Sequence, residues 1–567
     1  MTVVGHVCPF FPDDRVAVTN RRDFLRNGSL AAIAASGLLP RLLRAETLAS
    51  RIDALPRAGD PKLRELAMRA LDAAKAAGAT YADVRLTVTR TQTFYYANPP
   101  VDGEEIAVGV RALANGAWGF TASPEWTPEE MTRLGQQAAA QAKGNAWPGR
   151  PPIELAPNPR VGEGEWHMPV KRDPFAVSIE EKLDYIRSAE AYARTLRNGG
   201  ASSIISFERQ ERTFASTDGA FYTQTVYNSL GGPSFFVVSA ADPVKPVGAG
   251  RGAPFIMPTG AGYEVFEDAK LLDRIPELYD EARQLLLAEP LEAPSRYDVV
   301  FDAHAVAAIL DGTFGAALEL DRALGLEANA SGTSYLAPIE TILGSNISSP
   351  LVTITGDRSM PTGAATVKWD AEGVTPSEFT LIDKGVAVDY ATSRDQAPAM
   401  AAWYKTRNTA VLSNGCAASE DGMGVPHVQT PNLTLHAGAK DRSFSDLVAG
   451  IDDGLAVIGG NVMMDQQQLN GQGLGEMVYR VKKGKLAGTV SSSSYLFRAP
   501  DLWKNLVAIG GASTADTRGL TVRKGQPRQT TVHSVKAVAA HFKNVPVSVV
   551  RNERRRGPGS TITVGEA

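Results

Sequence analysis

The chain has 567 residues, which is long for one domain and suggests about two to four domains. Hydrophobic residues make up 43% and charged residues 21% of it, and the net charge is −4. This composition is ordinary for a globular protein and excludes the large basic excess that is typical of nucleic-acid-binding proteins. The only cysteines are Cys8 and Cys416, so a cysteine-rich zinc module is excluded as well.

The first 49 residues are predicted to be an export signal. Arg21 and Arg22 precede a mildly apolar run at 29–40, which is the pattern of a twin-arginine signal. The run is too short to span a bilayer, which takes about 20 residues. We therefore expect export to the periplasm or another extracytoplasmic compartment, with cleavage near Ala45 or Ala49.

In the first half of the chain, helices alternate with pairs of long strands. Apolar periodicity predicts a helix at 61–77, and the strands that follow turn at Asn115-Gly116. Residues 145–173 are rich in proline and glycine and are predicted to be a linker, after which the helix–hairpin order repeats. We therefore predict helix-plus-antiparallel-sheet domains at 58–150 and 174–290.

Strand patterns dominate the second half, where hairpins are predicted at Lys384-Gly385 and Lys483-Gly484. A helical pattern begins at His304 and leads to Glu319-Leu320-Asp321-Arg322. These features predict a β-rich C-terminal domain at 295–550. The fold class of the whole chain is therefore predicted to be α+β.

The residues of that helical stretch do not build a metal site by themselves. His304 is followed by alanines three and four positions on, where a helix would supply a second ligand. Asp311 is seven residues on, about 10 Å along the axis, which is too far to share an ion with His304. The chain contains no His-Glu-x-x-His. A site assembled from distant residues is an open alternative, with the candidate ligands His427, His436, His533 and His541.

Serine and cysteine chemistry has no supporting motif. The serine run at 491–494 lacks the Gly-x-Ser-x-Gly turn that exposes a nucleophile, and it is predicted to be a polar loop. Cys416 is a second candidate, but a reactive thiol needs a base that the sequence does not identify. No glycine-rich phosphate loop of the Walker type is present.

Several segments of the chain resemble the TldD/PmbA family and occur in the family's order over about residues 60–550. They are YADVRLTVTRTQTF, RALANGAWGF, FASTDGAFYTQT, ELDRALGLEANASGTSYL, DAEGVTPSEFTLIDKG and KGQPRQTTV. Active members of the family are metallopeptidases. Their helix carries His-Glu-x-x-x-His shortly before the ELDR-like segment, and a cysteine near the C-terminus resembles a further ligand. The resemblance thus implies zinc-type chemistry, in which the glutamate activates a water molecule.

Aligning the ELDR segment with its family counterpart shows that the motif is degenerate. The first histidine falls at Asp311, the glutamate at Gly312 and the second histidine at Ala316. The cysteine falls at Thr521 or Val522. The resemblance therefore implies that both histidines, the base and the thiolate are missing, and neither a catalytic residue nor a cofactor is predicted.

The family also has a PmbA-like branch that lacks the metal motif. This resemblance implies a non-catalytic pseudo-peptidase that pairs with a metal-bearing TldD-like homologue, or with itself as a homodimer, and that acts on peptides. Nucleic acid is not an expected partner. The alternative is an active metallopeptidase that binds zinc through ligands that the motif does not reveal.

Overall fold

The computed structural model of the chain describes residues 56–549, apart from residues 97, 239–247, 252–255 and 492. The predicted export signal, with Arg21 and Arg22, lies outside the described residues and stays a prediction. The described residues from Ala58 onward belong to one compact unit. Within these ranges, no helix combines the length and the apolar composition that crossing a bilayer requires.

Helices are long in the first half of the described chain and short in the second. The α-helices are α1 (Pro61–Ala76), α2 (Pro128–Asn145), α3 (Ile179–Thr195), α4 (Glu264–Asp268), α5 (Ile275–Leu286), α6 (Ala303–Leu310), α7 (Leu320–Ala323), α8 (Ile339–Ile342), α9 (Ala401–Thr406), α10 (Phe444–Ala449) and α11 (Ala499–Lys504). Single turns of 3-10 helix occur at Pro174–Ala176, Leu271–Arg274, Ala397–Met400 and Ala512–Thr514.

Strands of the first half are long and strands of the second half are short. The first group is β1 (Tyr81–Tyr95), β2 (Val101–Ala114), β3 (Ala117–Ser123), β4 (Glu163–His167), β5 (Gly199–Ser216), β6 (Phe221–Val238), β7 (Gly248–Arg251) and β8 (Ile256–Thr259). The second group is β9 (Glu289–Pro290), β10 (Ser295–Phe301), β11 (Ile354–Gly356), β12 (Phe379–Asp383), β13 (Val386–Ala387), β14 (Ala417–Ala418), β15 (His427–Val428), β16 (Leu433–Leu435), β17 (Asp453–Ile458), β18 (Asn461–Met464), β19 (Asn470–Leu474), β20 (Met477–Lys482), β21 (Lys485–Ser491), β22 (Ser493–Arg498), β23 (Leu506–Ile509), β24 (Asp516–Lys524), β25 (Gln529–Ala537) and β26 (Ala540–Val549).

The first group forms one sheet in the order β3-β2-β1-β5-β6-β4, with β7 and β8 also paired to β6. The predicted turn at Asn115-Gly116 is confirmed, since it joins the antiparallel strands β2 and β3 with φ angles of 52° and 72°. Such angles are those of a tight hairpin turn. Because β1 pairs with β5 along most of its length, the segments at 58–150 and 174–290 share this sheet. The predicted boundary between them stays a prediction.

The predicted helix at 61–77 is confirmed as α1, and local signals explain both of its ends. The Asp60 side chain accepts a hydrogen bond from the Lys62 N–H, and Gly78 follows the helix with a φ of 89°. Its apolar face packs on α2. The two helices approach closely at Gly135, where a Cβ would lie 2.1 Å from the Ala70 carbonyl oxygen, so only glycine allows this packing.

The predicted linker at 145–173 is only partly irregular, because it contains the strand β4. This strand pairs in parallel with β6, from Glu163 opposite Phe221 to His167 opposite Thr225. The segment EGEWH has no run of β-branched residues that would predict a strand. Its conformation comes from pairing with the edge of a sheet whose other strands are distant in the chain.

The second half contains a ten-stranded sheet, β18-β19-β22-β26-β10-β17-β20-β21-β9 with β23 added on β26, and a six-stranded sheet, β13-β12-β11-β16-β25-β24. The predicted hairpins at Lys384-Gly385 and Lys483-Gly484 are confirmed as β12–β13 and β20–β21. The helix α6 contacts β24 and β25 of the smaller sheet and β10, β17 and β18 of the larger one. The predicted α+β class, with a β-rich C-terminal half, is confirmed.

Candidate functional site

The helix α6 ends in a π turn at the positions that the family motif would occupy. The turn covers Asp311–Gly315, and the N–H of Ala316 donates a hydrogen bond to the carbonyl oxygen of Asp311. In an α-helix, residues five apart would point about 140° away from each other. The i→i+5 bond of a π turn instead brings positions 311 and 316 onto one face. The backbone is therefore shaped to present two ligands spaced as in His-Glu-x-x-x-His.

Buried contacts hold this turn in place. Trp503 Nε1 donates a hydrogen bond of 2.9 Å to Thr313 Oγ1, and the Phe314 ring lies 4.9 Å from the Trp503 ring. Gly312 and Gly315 are weak helix formers, so the sequence does not favour a regular α-helix here. Packing against Trp503 of α11 thus stabilises a helical turn that the local sequence does not favour.

Asp311 meets a histidine from a distant strand. His533, on β25, is fully buried, and its Nε2 lies 2.8 Å from Asp311 Oδ1. The atoms are at ion-pair distance but lack hydrogen-bond geometry, and His533 Nδ1 is also buried without a partner. The structure therefore brings together two of the residues that the sequence considered separately.

The other two motif positions on the helix carry no donor atoms. A Cβ at Gly312 would lie 3.0 Å from Met464 Cγ and 3.4 Å from Val462 Cγ1, so apolar side chains of β18 back the position of the family glutamate. Ala316 is partly buried and presents only a methyl group. Apolar atoms thus occupy these two positions, while the backbone between them forms the π turn.

The strand β24 separates the two candidates for the cysteine position. Side chains of β24 alternate between two faces, and Lys524 on one face reaches Glu319 at 2.7 Å. Val522 shares that face, whereas Thr521 lines a cavity on the other side of the strand. Of the two positions, Val522 is therefore the one that faces the helix and the π turn.

The residues at this place do not fit a catalytic metal ion. A catalytic zinc site takes about three protein ligands and leaves a position open for water. Asp311 and His533 supply two donor side chains, and Gly312, Ala316 and Val522 supply none. Across the described ranges, no three His, Cys, Asp or Glu side chains converge as a metal site requires.

The remaining histidines each have a separate neighbour. His304 Nε2 lies 3.0 Å from Asp516 Oδ2. Burial disfavours its charged form, but the hydrogen bond and charge of Asp516 outweigh burial and raise the pKa of His304. His436 Nε2 lies 3.1 Å from Thr355 Oγ1. His304 and His436 therefore contact different residues and do not contribute to a common site.

The same holds for His427 and His541. Burial, followed by the charge of Lys524, lowers the pKa of His427 to about 4. His541 Nε2 lies 3.6 Å from Asp298 Oδ2, and burial lowers its pKa. Both imidazoles are therefore neutral near pH 7, and neither joins the Asp311–His533 pair in a larger donor cluster among the described residues.

The thiol and hydroxyl candidates are not presented as nucleophiles. Cys416 is fully buried, and burial raises the pKa of its thiol to about 12. The prediction of a polar loop at 491–494 is wrong for the described serines, since Ser491 lies in β21 and Ser493 and Ser494 lie in β22. Pairing of β22 with β26 overrides the local polarity of the run.

Beside the π turn, the ELDR segment forms a buried ionic cluster. Lys524 Nζ donates hydrogen bonds of 2.7 Å to Glu319 Oε2, Asp321 Oδ1 and the Val428 carbonyl oxygen. Glu319 also accepts from Arg322 Nε at 2.6 Å. Burial opposes ionisation of both acids, but Lys524 and Arg322 together lower the pKa of Glu319, whereas burial dominates at Asp321 and raises its pKa.

The sequence identified Asp311 and His533 as candidate residues, but it did not predict that they contact each other. His533 and Asp311 were each visible as candidates, but no local pattern joins β25 to α6. Lys524 sits in an alternating strand pattern that would place it on either face. The π turn had one signal, the low helix propensity of Gly312 and Gly315, which indicates a weak helix but not the kind of turn.

Comparisons with known proteins relate the chain to one metallopeptidase family. The model for the PmbA/TldA metallopeptidase C-terminal domain matches residues 294–539, and the model for domain 1 of the same family matches residues 82–142. A metalloprotease from Methanothermobacter thermautotrophicus is 26% identical over 446 residues, or 76% of this chain and 88% of the relative. A metalloprotease from Archaeoglobus fulgidus is 25% identical over 411 residues, or 70% of this chain and 83% of the relative.

Solved structures share the fold. A candidate modulator of a DNA gyrase from Thermotoga maritima superposes with a TM-score of 0.64 at 15% identity, over 86% of this chain and 100% of that one. TldE from Thermococcus kodakarensis superposes with a TM-score of 0.57 at 15% identity, over 84% of this chain and 98% of that one. At such identities the likeness is one of fold alone.

Proposed function

Because the chain belongs to the PmbA/TldD metallopeptidase family, we propose that it is a non-catalytic subunit that works beside a metal-bearing homologue in peptide proteolysis. The observation that supports this is the π turn at Asp311–Gly315. Its backbone suits ligands five residues apart, but Gly312 and Ala316 supply no donors and Met464 backs the position of the base. The backbone turn thus suits the family motif, but the side chains that would bind a metal ion and activate water are missing from it.

A specific observation also favours a second candidate, an active metallopeptidase with a different ligand set. The buried His533 imidazole, 2.8 Å from Asp311, is a donor pair at the place where the family holds its metal. Two donors are fewer than a catalytic zinc site uses. The Asp311–His533 pair therefore supports an active metallopeptidase less strongly than the missing donors at positions 312 and 316 support a pseudo-peptidase.

Metal content separates the two candidates. We expect the mature chain, purified alone without chelator, to contain zinc, iron and manganese well below one ion per chain by elemental analysis. We also expect it to leave a broad panel of peptides uncleaved. A stoichiometric metal that is lost in a His533→Gln variant would contradict the proposal and establish the alternative.

The partner is tested by purifying a tagged chain from its native cells under mild conditions. We expect a homologue with an intact His-Glu-x-x-x-His motif to co-purify, and the complex to cleave peptides in a chelator-sensitive manner. Recovery of single chains, or of copies of this chain alone, would contradict the heteromeric role.

We also propose that the protein is exported by a twin-arginine-type signal, which rests on Arg21, Arg22 and the apolar run after them. Replacing both arginines by lysine is expected to retain the protein in the cytoplasm, as measured by cell fractionation. Arg26→Lys in the same segment is the matched control and is expected to leave export intact. Unchanged export of the double variant would reject the signal.

A further inference from the structure

Arginines from distant parts of the chain converge on a cavity between the N-terminal sheet and the C-terminal half. Arg85 lies on β1 and Arg212 lies on β5 opposite Thr87, so both arginines share one face of the sheet. Arg358, just after β11, approaches from the other half. A cavity of about 240 Å³ has Arg212 and Arg358 in its wall, and a smaller cavity that shares both of them reaches Arg85.

Arg85 and Arg212 each have one side-chain hydrogen-bond partner and further donors that are unused. Arg85 is 5% exposed and donates through Nη1 to Asp83, while its Nε and Nη2 are buried without a hydrogen-bond partner. Arg212 donates through Nε to Gln210 Oε1 at 2.7 Å. No described residue accepts from either Nη of Arg212. A buried N–H without an acceptor is costly, and a bound acceptor removes that cost.

The third guanidinium is held by the backbone. Arg358 is 4% exposed and donates through Nε to the Ala365 carbonyl and through Nη1 to the Ala417 carbonyl, which leaves Nη2 unused. Desolvation, then the charge of Arg358, lowers the pKa of Arg212 to about 10. Burial likewise lowers the pKa of Arg358 and of Arg85. Burial is thus the main cause at all three arginines, and it outweighs the opposing charges of Asp83, Asp370 and Glu208.

Carboxylates also line the two cavities, but most of them are already occupied by backbone donors. Asp370 accepts from the backbone N–H groups of Glu372, Val374 and Ala417, Glu420 accepts from that of Thr530, and Asp421 accepts from those of Met423 and Gly424. Glu208, which lines the larger cavity, is the exception. The two cavities therefore offer several free donors, and Glu208 is the lining carboxylate to which no described residue donates a hydrogen bond.

We propose that the larger cavity binds a peptide through a carboxylate, which accepts hydrogen bonds from Arg212 and Arg358 on the side where the smaller cavity leads to Arg85. Guanidinium groups hold carboxylates through paired, charge-assisted hydrogen bonds. Glu208 accepts from a backbone N–H of the same peptide, which a simple inorganic anion does not have. A volume of about 240 Å³ holds a terminal residue or a single side chain rather than a long segment.

The lining of this cavity does not include Asp311, Gly312, Ala316 or His533. Thr521 and Val532, which are paired across β24 and β25, line it. The next pair along, Leu520 and His533, points to the opposite face, where His533 meets Asp311. That the ligand is a peptide rests on the proposed function, whereas the arginine site stands on its own geometry. Binding by the lone chain therefore does not depend on a metal or a partner subunit.

The test is equilibrium binding of labelled peptides to the mature chain alone, by fluorescence anisotropy. The probes are fluorescein-Gly-Gly-Ala-Ala with a free C-terminal carboxylate, the same peptide as its C-terminal amide, and the amide with glutamate at the last position. If the terminus is the ligand, the acid peptide binds at least about tenfold more tightly than the amide. If a side chain is the ligand, only the glutamate-containing amide recovers the affinity.

Arg212→Gln is expected to weaken binding of the preferred peptide by about tenfold to a hundredfold. Arg209→Gln, on the opposite face of the same strand and 3.3 Å from Glu211, is the matched control and is expected to bind normally. If Arg212→Gln does not fold, Arg212→Lys keeps the charge without the planar fork and is expected to bind several-fold more weakly.

Three results would overturn the proposal: equal binding of all three peptides, equal loss in the Arg209 and Arg212 variants, or competition by inorganic phosphate that displaces the labelled acid peptide as readily as the unlabelled acid peptide does. None of them bears on the metal content or on the co-purifying homologue. Failure of the peptide site and failure of the pseudo-peptidase role are therefore distinguishable.

Discussion

Lys524→Met is expected to lower the free energy of unfolding by about 3–5 kcal/mol, because it removes one partner of a buried ionic cluster. Glu319, Asp321 and Lys524 are each 1–2% exposed. Lys524 Nζ uses all of its donors, on the two carboxylates and on the Val428 carbonyl oxygen. Methionine keeps the length of the side chain, but among the described residues it leaves Glu319 with Arg322 as its only cation and Asp321 with none.

The loss is also expected to depend on pH. Burial already raises the pKa of Asp321 above its value in the unfolded chain, and removing the ammonium group raises it further. The folded variant then binds more protons than the unfolded chain, so its stability falls as pH rises through the interval between the two pKa values. The difference from the native chain should therefore be smaller at pH 5 than at pH 8.

The measurement is urea unfolding of both proteins at the two pH values, followed by circular dichroism. Lys482→Met is the matched control, because Lys482 Nζ also lies 2.8 Å from an aspartate, Asp453, but the two side chains are 51% and 48% exposed. An exposed pair of this kind contributes less than about 1 kcal/mol. Equal losses in the two variants would show that burial of the cluster is not what makes Lys524 important.

Asp83→Asn is expected to cost about 3–5 kcal/mol for the complementary reason, since it leaves buried cations without their anion. Asp83 is fully buried, accepts from Arg85 Nη1 at 2.6 Å and accepts from Arg111 Nη2 at 2.7 Å. Arg111 Nη1 also lies 3.0 Å from Glu372 in the C-terminal half. Asparagine keeps the shape of the side chain, so the loss reports charge rather than a cavity.

Both arginines keep their charge from pH 5 to pH 8, but burial raises the pKa of Glu372 to about 7, and its ionised form partly compensates Arg111 for the loss of Asp83. In contrast to the lysine variant, the loss of stability in Asp83→Asn is therefore expected to be modestly larger at pH 5 than at pH 8. Asp102→Asn is the matched control. Asp102 accepts from Arg90 Nη2 at 3.1 Å across the same pair of strands, with its side chain 38% exposed. We expect a loss of less than about 1 kcal/mol there. A comparable loss in both aspartate variants, or a strong pH dependence in Asp83→Asn, would contradict this account.

The proposed function depends on residues whose absence is visible in the sequence and on a shape that is not. Glycine at 312 and alanine at 316 exclude a base and a ligand whatever the fold, because neither side chain carries a donor. The π turn that aligns positions 311 and 316, and the packing of Met464 behind Gly312, come from contacts with other strands. The sequence alone therefore indicates a missing motif, and the structure adds the π turn of the backbone at the same positions.

Features with a local cause were determined by the sequence by itself. The Asp60 cap and the Asn115-Gly116 turn act within a few residues, and both appear in the structure. Periodicity of apolar residues likewise determined the α+β class, because burial of one face selects helix or strand along each segment.

Features that join distant segments were decided only by the tertiary structure. The pairing of β4 with β6, the contact of Asp311 with His533 and the burial of Lys524 each depend on which surfaces pack together. The identity of a residue does not specify which distant residue it will contact, and the pattern of a strand does not specify which strand will pair with it. The physical reason is that burial and charge pairing are properties of the assembled core, whereas caps and turns are properties of the chain.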